Sequence, residues 1–393
     1  MRVNMNRLAI EWLGTKEPGV KGLGMKGFSV AVACCVSMTT AQAGGFSNPD
    51  MSASALGLSN AVVASADDVS AAAYNPAGIA WQDGIQGMLG IEAQYRNSSV
   101  NLGSVVAPNG GGAGNPGHLY ASWMPHDGNI GFALAYNSPY ELDNDWALAF
   151  PASAGISQLK IDRLSLDAIY AVSSSLAVSG GIDWYLSSAE MTLPGQSFSA
   201  KDKKTFGGHI SMKWKPAPTW SVGAMARLGS EIKFSNGLSQ SLNLKLPDEF
   251  TLGVAHDIAD TVRIELDAAW SRWSKLKDMN VMSGTTVLQS HILNMHDSLT
   301  VMAGATWFWR ENTQIRFGYA YDQEASDSTG FNPVVADQTG HKASLGGGAD
   351  MFGFHSGLAL SYTFYPKRTV TGPYAGTYRD QRYSAALSVS KRF

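Results

Sequence analysis

The segment YSAALSVSKRF, residues 383–393, shows the strict alternation of a β-strand. One set of alternate residues is mostly large and apolar, and the residues between them are small or polar; the first set is Tyr383, Ala385, Leu387, Val389, Lys391 and Phe393. Successive side chains of a strand point to opposite faces of the sheet. The segment therefore predicts a strand with one apolar face and one polar face.

The same alternation recurs along most of the chain. It predicts fourteen strands, at residues 84–97, 118–125, 129–137, 159–171, 175–189, 203–215, 219–233, 249–257, 261–275, 297–309, 312–323, 341–350, 353–365 and 380–393. Long and short connections alternate between them, as in outer-membrane barrels with long external loops and short periplasmic turns. The first connection is long, which places both termini in the periplasm. The sequence thus predicts an all-β, 14-stranded antiparallel transmembrane β-barrel.

The composition agrees with this prediction. Hydrophobic residues make up 45% of the 393-residue chain, but charged residues only 16%, below the roughly 25% of soluble domains. No apolar run of about 20 residues follows the N-terminal region, which argues against membrane helices. In a barrel, alternation spreads the apolar residues along the chain instead.

Residues 1–43 have the features of an export signal. A basic region precedes the apolar core GFSVAVACCVSM, residues 27–38, and Ala-Gln-Ala at 41–43 forms a cleavage site. A start at Met25 and a lipidated Cys34 are alternatives. Cleavage after Ala43 leaves a net charge of −6 and no cysteine, which argues against a nucleic-acid partner and excludes disulfides. We identify no catalytic, cofactor or metal motif.

Residues 44–83 precede the first strand and are too few to form a core of their own. They include the small-residue stretch ADDVSAAAYNPAGIA, residues 66–80. A fourteen-stranded barrel is wide enough to leave an open lumen. We therefore expect residues 44–83 to fill that lumen as a hatch, and residues 84–393 to form the barrel.

The two faces of the predicted strands carry different residues. The apolar face bears aromatic residues toward strand ends, as in interfacial girdles. The polar face bears charges of both signs, which we interpret as a network that braces the wall and anchors the hatch, with solvated lumen residues as the alternative for each of them. These residues are Glu92, Arg96, Arg163, Asp167, Asp183, His209, Lys213, Arg227, Arg263, Glu265, Asp267, Arg316 and Arg382. The external loop 138–158 contains Tyr140, Trp146 and Phe150, which form either an apolar surface for ligand capture or the packing of the loop on itself.

Several motifs resemble the FadL/TodX (OmpP1) family of outer-membrane transporters for long-chain fatty acids and other hydrophobic compounds. They are the hatch start GGFSNPDMSASALGLSNAVVASADDVSAAAYNPAGIA, NSPY at 137–140, the block LPDEFTLGVAHDIADTVRIELDAAWSRWSKL at 246–276 and RFGYAYDQ at 316–323. The terminal Phe393 is similar to the C-terminal signal read by the barrel-assembly machinery.

The resemblance implies passive uptake of fatty acids or of aromatic or aliphatic hydrocarbons, with lateral release through a gap in the wall. Asn75, Pro76 and Ala77 would border that gap, and the strand at 129–137 would carry an inward kink. Gly131 in that strand either allows close approach of the backbone to the hatch or serves packing within the wall. The implied partners are hydrophobic small molecules, outer-membrane lipid, lipopolysaccharide and the barrel-assembly machinery, for a monomer. An adhesin or receptor barrel, or a lipid-handling hydrolase, remains an alternative.

Overall fold

The computed structural model describes residues 44–193, 195–326 and 331–393. The predicted signal segment, residues 1–43, lies outside the described residues. No helix in the described part of the chain is long and apolar enough to cross a membrane.

The described helices are short, and the strands carry most of the chain. The helices are α1 Ala53–Gly57 and α2 Ala71–Tyr74, with 3₁₀ helices at Pro76–Trp81 and Trp273–Lys275. The strands are β1 Gly84–Asn101, β2 Val106–Pro108, β3 Ala113–Gly114, β4 Gly117–Met124, β5 Ile130–Asp145, β6 Ile156–Ala171, β7 Leu176–Leu193, β8 Gln196–Asp202, β9 Phe206–Ala217, β10 Trp220–Leu228, β11 Glu231–Ser235, β12 Gln240–Lys245, β13 Glu249–Ile258, β14 Val262–Ser271, β15 Asp278–Ser283, β16 Thr286–Ile292, β17 Ser298–Arg310, β18 Thr313–Asp322, β19 Gly340–Met351, β20 Phe354–Val370 and β21 Gly376–Arg392.

Fourteen of these strands form a closed antiparallel barrel. Their order around the wall is β1, β4, β5, β6, β7, β9, β10, β13, β14, β17, β18, β19, β20 and β21. β21 then pairs with β1, from Gln86 opposite Arg392 to Asn101 opposite Thr377. Closure pairs the first strand with the last, so neither end of the sheet is left open to the hydrocarbon layer. The predicted fold class is confirmed.

The burial pattern follows the alternation seen in the sequence. In β14, Leu266 is 53% exposed, whereas Asp267 is 1% exposed. The outward residues are therefore apolar side chains for lipid, and the inward residues are polar side chains for the lumen. Outward aromatic rings pack against each other across strands, for example Tyr362 and Tyr383 with ring centroids 5.1 Å apart.

Four predicted loops contain strands instead, and the first of them, residues 98–117, contains β2 and β3. The segment 190–202 continues β7 and forms β8, while residues 231–245 and 278–292 form a separate four-stranded sheet in the order β11, β12, β15, β16. The predicted loop 138–158 is also wrong in part, because β5 continues to Asp145. The prediction ended each strand at the length needed to cross the membrane. The alternation continues beyond the membrane, and the strands continue with it.

Residues 44–83 pack inside the barrel, and most of them are buried. Small side chains dominate this hatch, and Ala55, Ala61 and Ala64 are fully inaccessible to solvent. The Ser52 side chain accepts a hydrogen bond from the Ala55 N–H and caps α1. Because so little volume separates the hatch from the wall, alanine and serine fit where larger residues would not.

Candidate functional site

Two carboxylates on β14 hold one hatch loop by its backbone. Asp267 Oδ2 accepts hydrogen bonds from the N–H groups of Val62 and Val63 at 2.8 and 2.9 Å. Glu265 Oε1 accepts from the N–H groups of Ala64 and Ser65 at 2.6 and 3.1 Å. Two predicted lumen charges thus satisfy four consecutive backbone donors that have no strand or helix partner.

Several of the other predicted lumen charges form ion pairs within the wall or with the hatch. Arg263 contacts Asp67 of the hatch at 2.5 Å and Asp257 of β13 at 2.6 Å. Arg227 pairs with Asp183 of β7 at 3.1 Å. Arg316 Nη2 donates to Gln314 on its own strand, at 2.5 Å. Charges of both signs therefore compensate each other around the lumen.

Asp183 is the centre of a buried cluster in this network. It accepts from Ser165 at 2.5 Å and lies 3.1 Å from His209, whose other ring nitrogen is 2.6 Å from Asp167. Arg163 reaches the same Asp183 at 3.9 Å. These residues come from three neighbouring strands, so the cluster crosslinks β6, β7 and β9.

The Asn-Pro-Ala segment lies against β9. The Asn75 side-chain amide donates to the carbonyls of Val63 and Met212 at 2.7 and 3.0 Å. Pro76 begins a 3₁₀ helix, and the Ala77 N–H donates to Ser211 Oγ at 3.0 Å. The hydrogen bonds of this segment thus tie the hatch to the short-turn half of the wall.

Gly131 lies near the start of β5, opposite Ile169 of β6. A Cβ atom there would approach Met124 Sδ to 2.6 Å and the Trp123 carbonyl oxygen to 2.8 Å. The residue therefore permits close packing of β4 on β5. It lies several residues before the irregular part of the same strand.

That irregularity is a β-bulge at Ser138 and Pro139. The pairing of β5 with β6 shifts by one residue between Asn137 and Tyr140. Residues 137–140 are all buried, although alternation would expose every second one. Proline also has no N–H for the sheet. The bulge thus turns this part of β5 inward.

The neighbouring strand stops pairing just before the bulge. The β4–β5 ladder ends at Leu119 opposite Tyr136. Beyond it the hatch start takes the place of β4: the Asn48 N–H donates to the Pro139 carbonyl at 2.7 Å, and the Glu141 N–H donates to the Phe46 carbonyl at 3.2 Å. The wall is therefore discontinuous between β4 and residues 137–140.

A cavity of about 200 Å³ lies beside this discontinuity. Pro139 lines it together with apolar groups of the hatch and wall, among them Pro49, Met51, Val62, Met225 and Met302. Its basic lining residues are Arg96, Arg163, Arg227, Lys342 and Arg382. Arg96 pairs with Asp380, Arg163 and Arg227 both pair with Asp183, and Lys342 pairs with Asp50.

Arg382 differs from these four cations. Within the described residues it makes no hydrogen bond or ion pair closer than 4.0 Å, and its neighbours along the cavity include Tyr365 and Thr363. The cavity therefore contains one guanidinium group whose charge is not directly paired.

The three predicted capture residues lie in an apolar cluster that seals the long-loop end. Tyr140 and Trp146 are fully buried, at 1% and 0% exposure, and Phe150 packs at its edge. Tyr140 belongs to β5, and its hydroxyl donates to Glu249 at 2.8 Å. Trp146 packs edge-on against Tyr378, with ring centroids 5.7 Å apart. The two largest of these residues are thus covered in this conformation and not open to solvent.

Residues 331–339, the mouth segment, cover this cluster. Phe331, Val334 and Val335 are buried, and the Val334 carbonyl accepts from Asn144 and Ser157 at 2.9 and 3.1 Å. Asp337 accepts from the Gly45 N–H of the hatch at 2.8 Å, as well as from Ala325 and Ser326. Burial raises the pKa of this carboxyl to about 7. The hatch start and the mouth segment are therefore joined through one side chain.

The sequence reasoning missed Phe46, Asn48, Asp337 and Lys342. Their roles depend on contacts between residues far apart in the chain, such as the Lys342–Asp50 pair at 2.5 Å. One signal was present: the proline in NSPY interrupts a strand pattern, which is typical of a bulge.

The family comparison agrees with the fold. A family model described as outer membrane protein transport protein (OMPP1/FadL/TodX) matches residues 192–351. No curated protein matches this sequence.

Solved structures share the architecture at low sequence identity. A FadL homologue of Pseudomonas aeruginosa is 16% identical, with a TM-score of 0.79 and coverage of 89% of this chain and 100% of that one. The toluene transporter TodX of P. putida is 17% identical, with a TM-score of 0.66 and coverage of 83% and 94%. The monoaromatic hydrocarbon channel CymD is 16% identical, with a TM-score of 0.63 and coverage of 87% and 97%.

Proposed function

Because this chain belongs to the OMPP1/FadL/TodX family of outer membrane transport proteins, we propose that it is a passive channel for hydrophobic solutes. The solute enters from the long-loop end, occupies the central cavity and leaves sideways through the wall between β4 and residues 137–140. In this orientation both termini are periplasmic. The barrel functions as a monomer, reaches the membrane through the barrel-assembly machinery, and contacts outer-membrane lipid.

The position of Pro139 carries the proposal. This residue lines the cavity and also lies in the bulge, beyond the last β4–β5 pair. A molecule in the cavity is therefore next to residues 137–140 of β5. Among the described residues, this is the only part of β5 at which the hatch takes the place of β4. Displacement of residues 46–48 would connect the cavity to the lipid face.

Sideways release suits an apolar solute. Transfer of each buried methylene into water costs about 0.8 kcal/mol, so a straight path into the periplasm becomes less favourable as the chain lengthens. A gap in the wall leads from one apolar environment to another. The solute then never crosses bulk water on the inner side.

The charges of the cavity favour a solute with an anionic head. Arg382 faces the cavity without a direct acidic partner, and a carboxylate would supply one. A charge-assisted hydrogen bond of this kind contributes about 1.5–3 kcal/mol. We therefore place fatty acids, or aromatic acids of similar size, ahead of neutral hydrocarbons as substrates.

Access from outside requires the mouth segment to move. Tyr140, Trp146 and Phe150 become available to a solute when residues 331–339 leave the apolar cluster. The Asp337–Gly45 hydrogen bond links that motion to the hatch start, next to Phe46 and the bulge. Opening at the mouth would thus loosen the contacts that close the wall.

A reversible block of the gap tests the proposal. His118 and Asn137 are the first residues beyond the end of the β4–β5 ladder, and both are replaced by cysteine. A short bis-methanethiosulfonate linker joins the two cysteines in cells. Uptake of labelled oleate and of labelled toluene by these cells is then measured. The control joins Tyr120→Cys to Ala135→Cys, a registered pair in the intact ladder.

We expect the link between residues 118 and 137 to abolish uptake, and we expect reductive cleavage of the linker to restore it. The link in the control pair should leave uptake unchanged. Full uptake with a verified 118–137 link would refute lateral release. No uptake of either compound above that of cells lacking the protein would refute the channel function, and ester hydrolysis by the purified barrel would favour a hydrolase.

A further inference from the structure

The outer face of the barrel has a notch of about 630 Å³ where β9 begins and β10 ends. Phe206, Gly208 and Leu228 form its floor, and Lys204, Glu231 and Lys233 stand at its rim. Phe206 is 61% exposed and Leu228 is 69% exposed, and both side chains lie on the outward face of their strands. The notch therefore opens toward lipid and not toward the lumen.

The floor of the notch adjoins an aromatic pair at the membrane boundary. Trp184 stacks on Phe206 with ring centroids 6.2 Å apart, and its indole N–H donates to the Lys203 carbonyl at 2.9 Å. Aromatic rings of this kind mark the interface between the hydrocarbon layer and the head groups. The residues that follow along the strands thus lie at head-group level.

Those residues carry an outward basic surface, which we call the lysine rim: Lys201, Lys203, Lys204, Lys233 and Lys245. The surface is shared by β8, β11 and β12, where alternation turns Ile232, Phe234, Leu242 and Leu244 inward and leaves the lysines outward. Glu231 pairs with Lys233 at 3.7 Å, whereas Lys201, Lys203 and Lys204 have no acidic partner within 4.0 Å among the described residues. The rim keeps a net positive charge.

We propose that the notch and the lysine rim bind a phosphorylated, acylated glycolipid of the outer leaflet, that is, lipopolysaccharide. An acyl chain lies on Phe206 and Leu228, and the lipid phosphates contact Lys204 and Lys233. The apolar floor excludes a free anion as the main ligand, and the outward direction excludes a solute in transit through the lumen. The assignment uses the proposed orientation, with the long-loop end outside, but not the transport pathway.

Binding of purified lipopolysaccharide to the detergent-solubilised full-length barrel tests this site. The variant Lys204→Gln/Lys233→Gln removes two rim charges, and the control variant Lys367→Gln/Arg379→Gln removes two exposed basic residues on β20 and β21, away from the rim. A lysine at an anionic membrane surface contributes about fivefold in affinity, so we expect binding about 25-fold weaker in the first variant and unchanged in the second. Heat-modifiable migration reports folding of each variant.

Further measurements separate the possible ligands. Leu228→Asn should weaken lipopolysaccharide binding severalfold, and inorganic phosphate at millimolar concentration should not compete. Equal binding in all variants would overturn the proposal, and so would competition by inorganic phosphate. Equal affinity for dephosphorylated lipid A, or for phosphatidylglycerol vesicles, would also overturn it.

Discussion

Removal of the Asp267 carboxylate should release the hatch loop at residues 62–65 from the barrel wall. In Asp267→Ala, the N–H groups of Val62 and Val63 lose acceptors at 2.8 and 2.9 Å. Each buried N–H group that is left without an acceptor costs about 1–3 kcal/mol. Relief of the repulsion from Glu265 on the same face offsets part of that loss, which leaves about 3 kcal/mol. The loop should therefore be open about 150 times more often.

A cysteine at Ala64 reports this opening. Ala64 is fully buried, and the two native cysteines, Cys34 and Cys35, lie in the predicted signal segment. The assay is the rate of maleimide labelling of Ala64→Cys in purified, folded barrel. Asp267→Ala should raise that rate roughly 100-fold, and Asp267→Asn, which retains an acceptor oxygen, roughly 10-fold.

The matched control is Asp248→Ala. Asp248 also accepts from a backbone N–H, that of Gly229 at 2.8 Å, and pairs with Lys275 at 2.7 Å, but it makes no hydrogen bond or ion pair with the hatch. Its labelling rate should equal that of the parent. Equal rates in the parent, Asp267→Ala and Asp248→Ala would show that the carboxylate does not hold the loop.

Three further predictions concern the hatch, the cavity and the mouth. Gly223→Val should displace the hatch and raise single-channel conductance in planar bilayers without loss of heat-modifiable folding, since a Cβ there would lie 2.8 Å from the Ala64 Cα; unchanged conductance would contradict this packing. Arg382→Gln should weaken oleate binding about 10- to 100-fold and leave toluene binding unchanged, measured by titration calorimetry; equal effects on both would exclude a head-group contact. Because burial raises the pKa of Asp337 to about 7, from about 3.8 when unfolded, the mouth segment should be most stable below pH 4 and lose stability as the pH rises through 7. Between pH 5 and 8, hydrogen exchange of the Ala325 and Ser326 amides should therefore accelerate by more than base catalysis alone explains. Asp337→Asn should remove this additional acceleration. A protection factor that stays constant with pH would refute the raised pKa of Asp337.

The sequence by itself determined the barrel. Period-two alternation predicted fourteen strands, all of which are present in the wall, and the alternation of long and short connections predicted their antiparallel order. This works because each strand repeats one local rule, apolar toward lipid and polar toward the lumen, that a chain of this kind must obey in a bilayer. The hatch was likewise predictable from its length and from the width of the barrel.

Tertiary structure decided how the lumen is used. Glu265 was recognisable as a lumen charge, but its partners Ala64 and Ser65 lie about 200 residues away in the chain. Tyr140 was predicted to be exposed in a loop and is buried in β5, because the strand continues beyond the bulge. The hatch start, and not Asn75, pairs with the bulge. Local periodicity fixes which way a side chain points, whereas the group it meets across a closed barrel depends on closure itself.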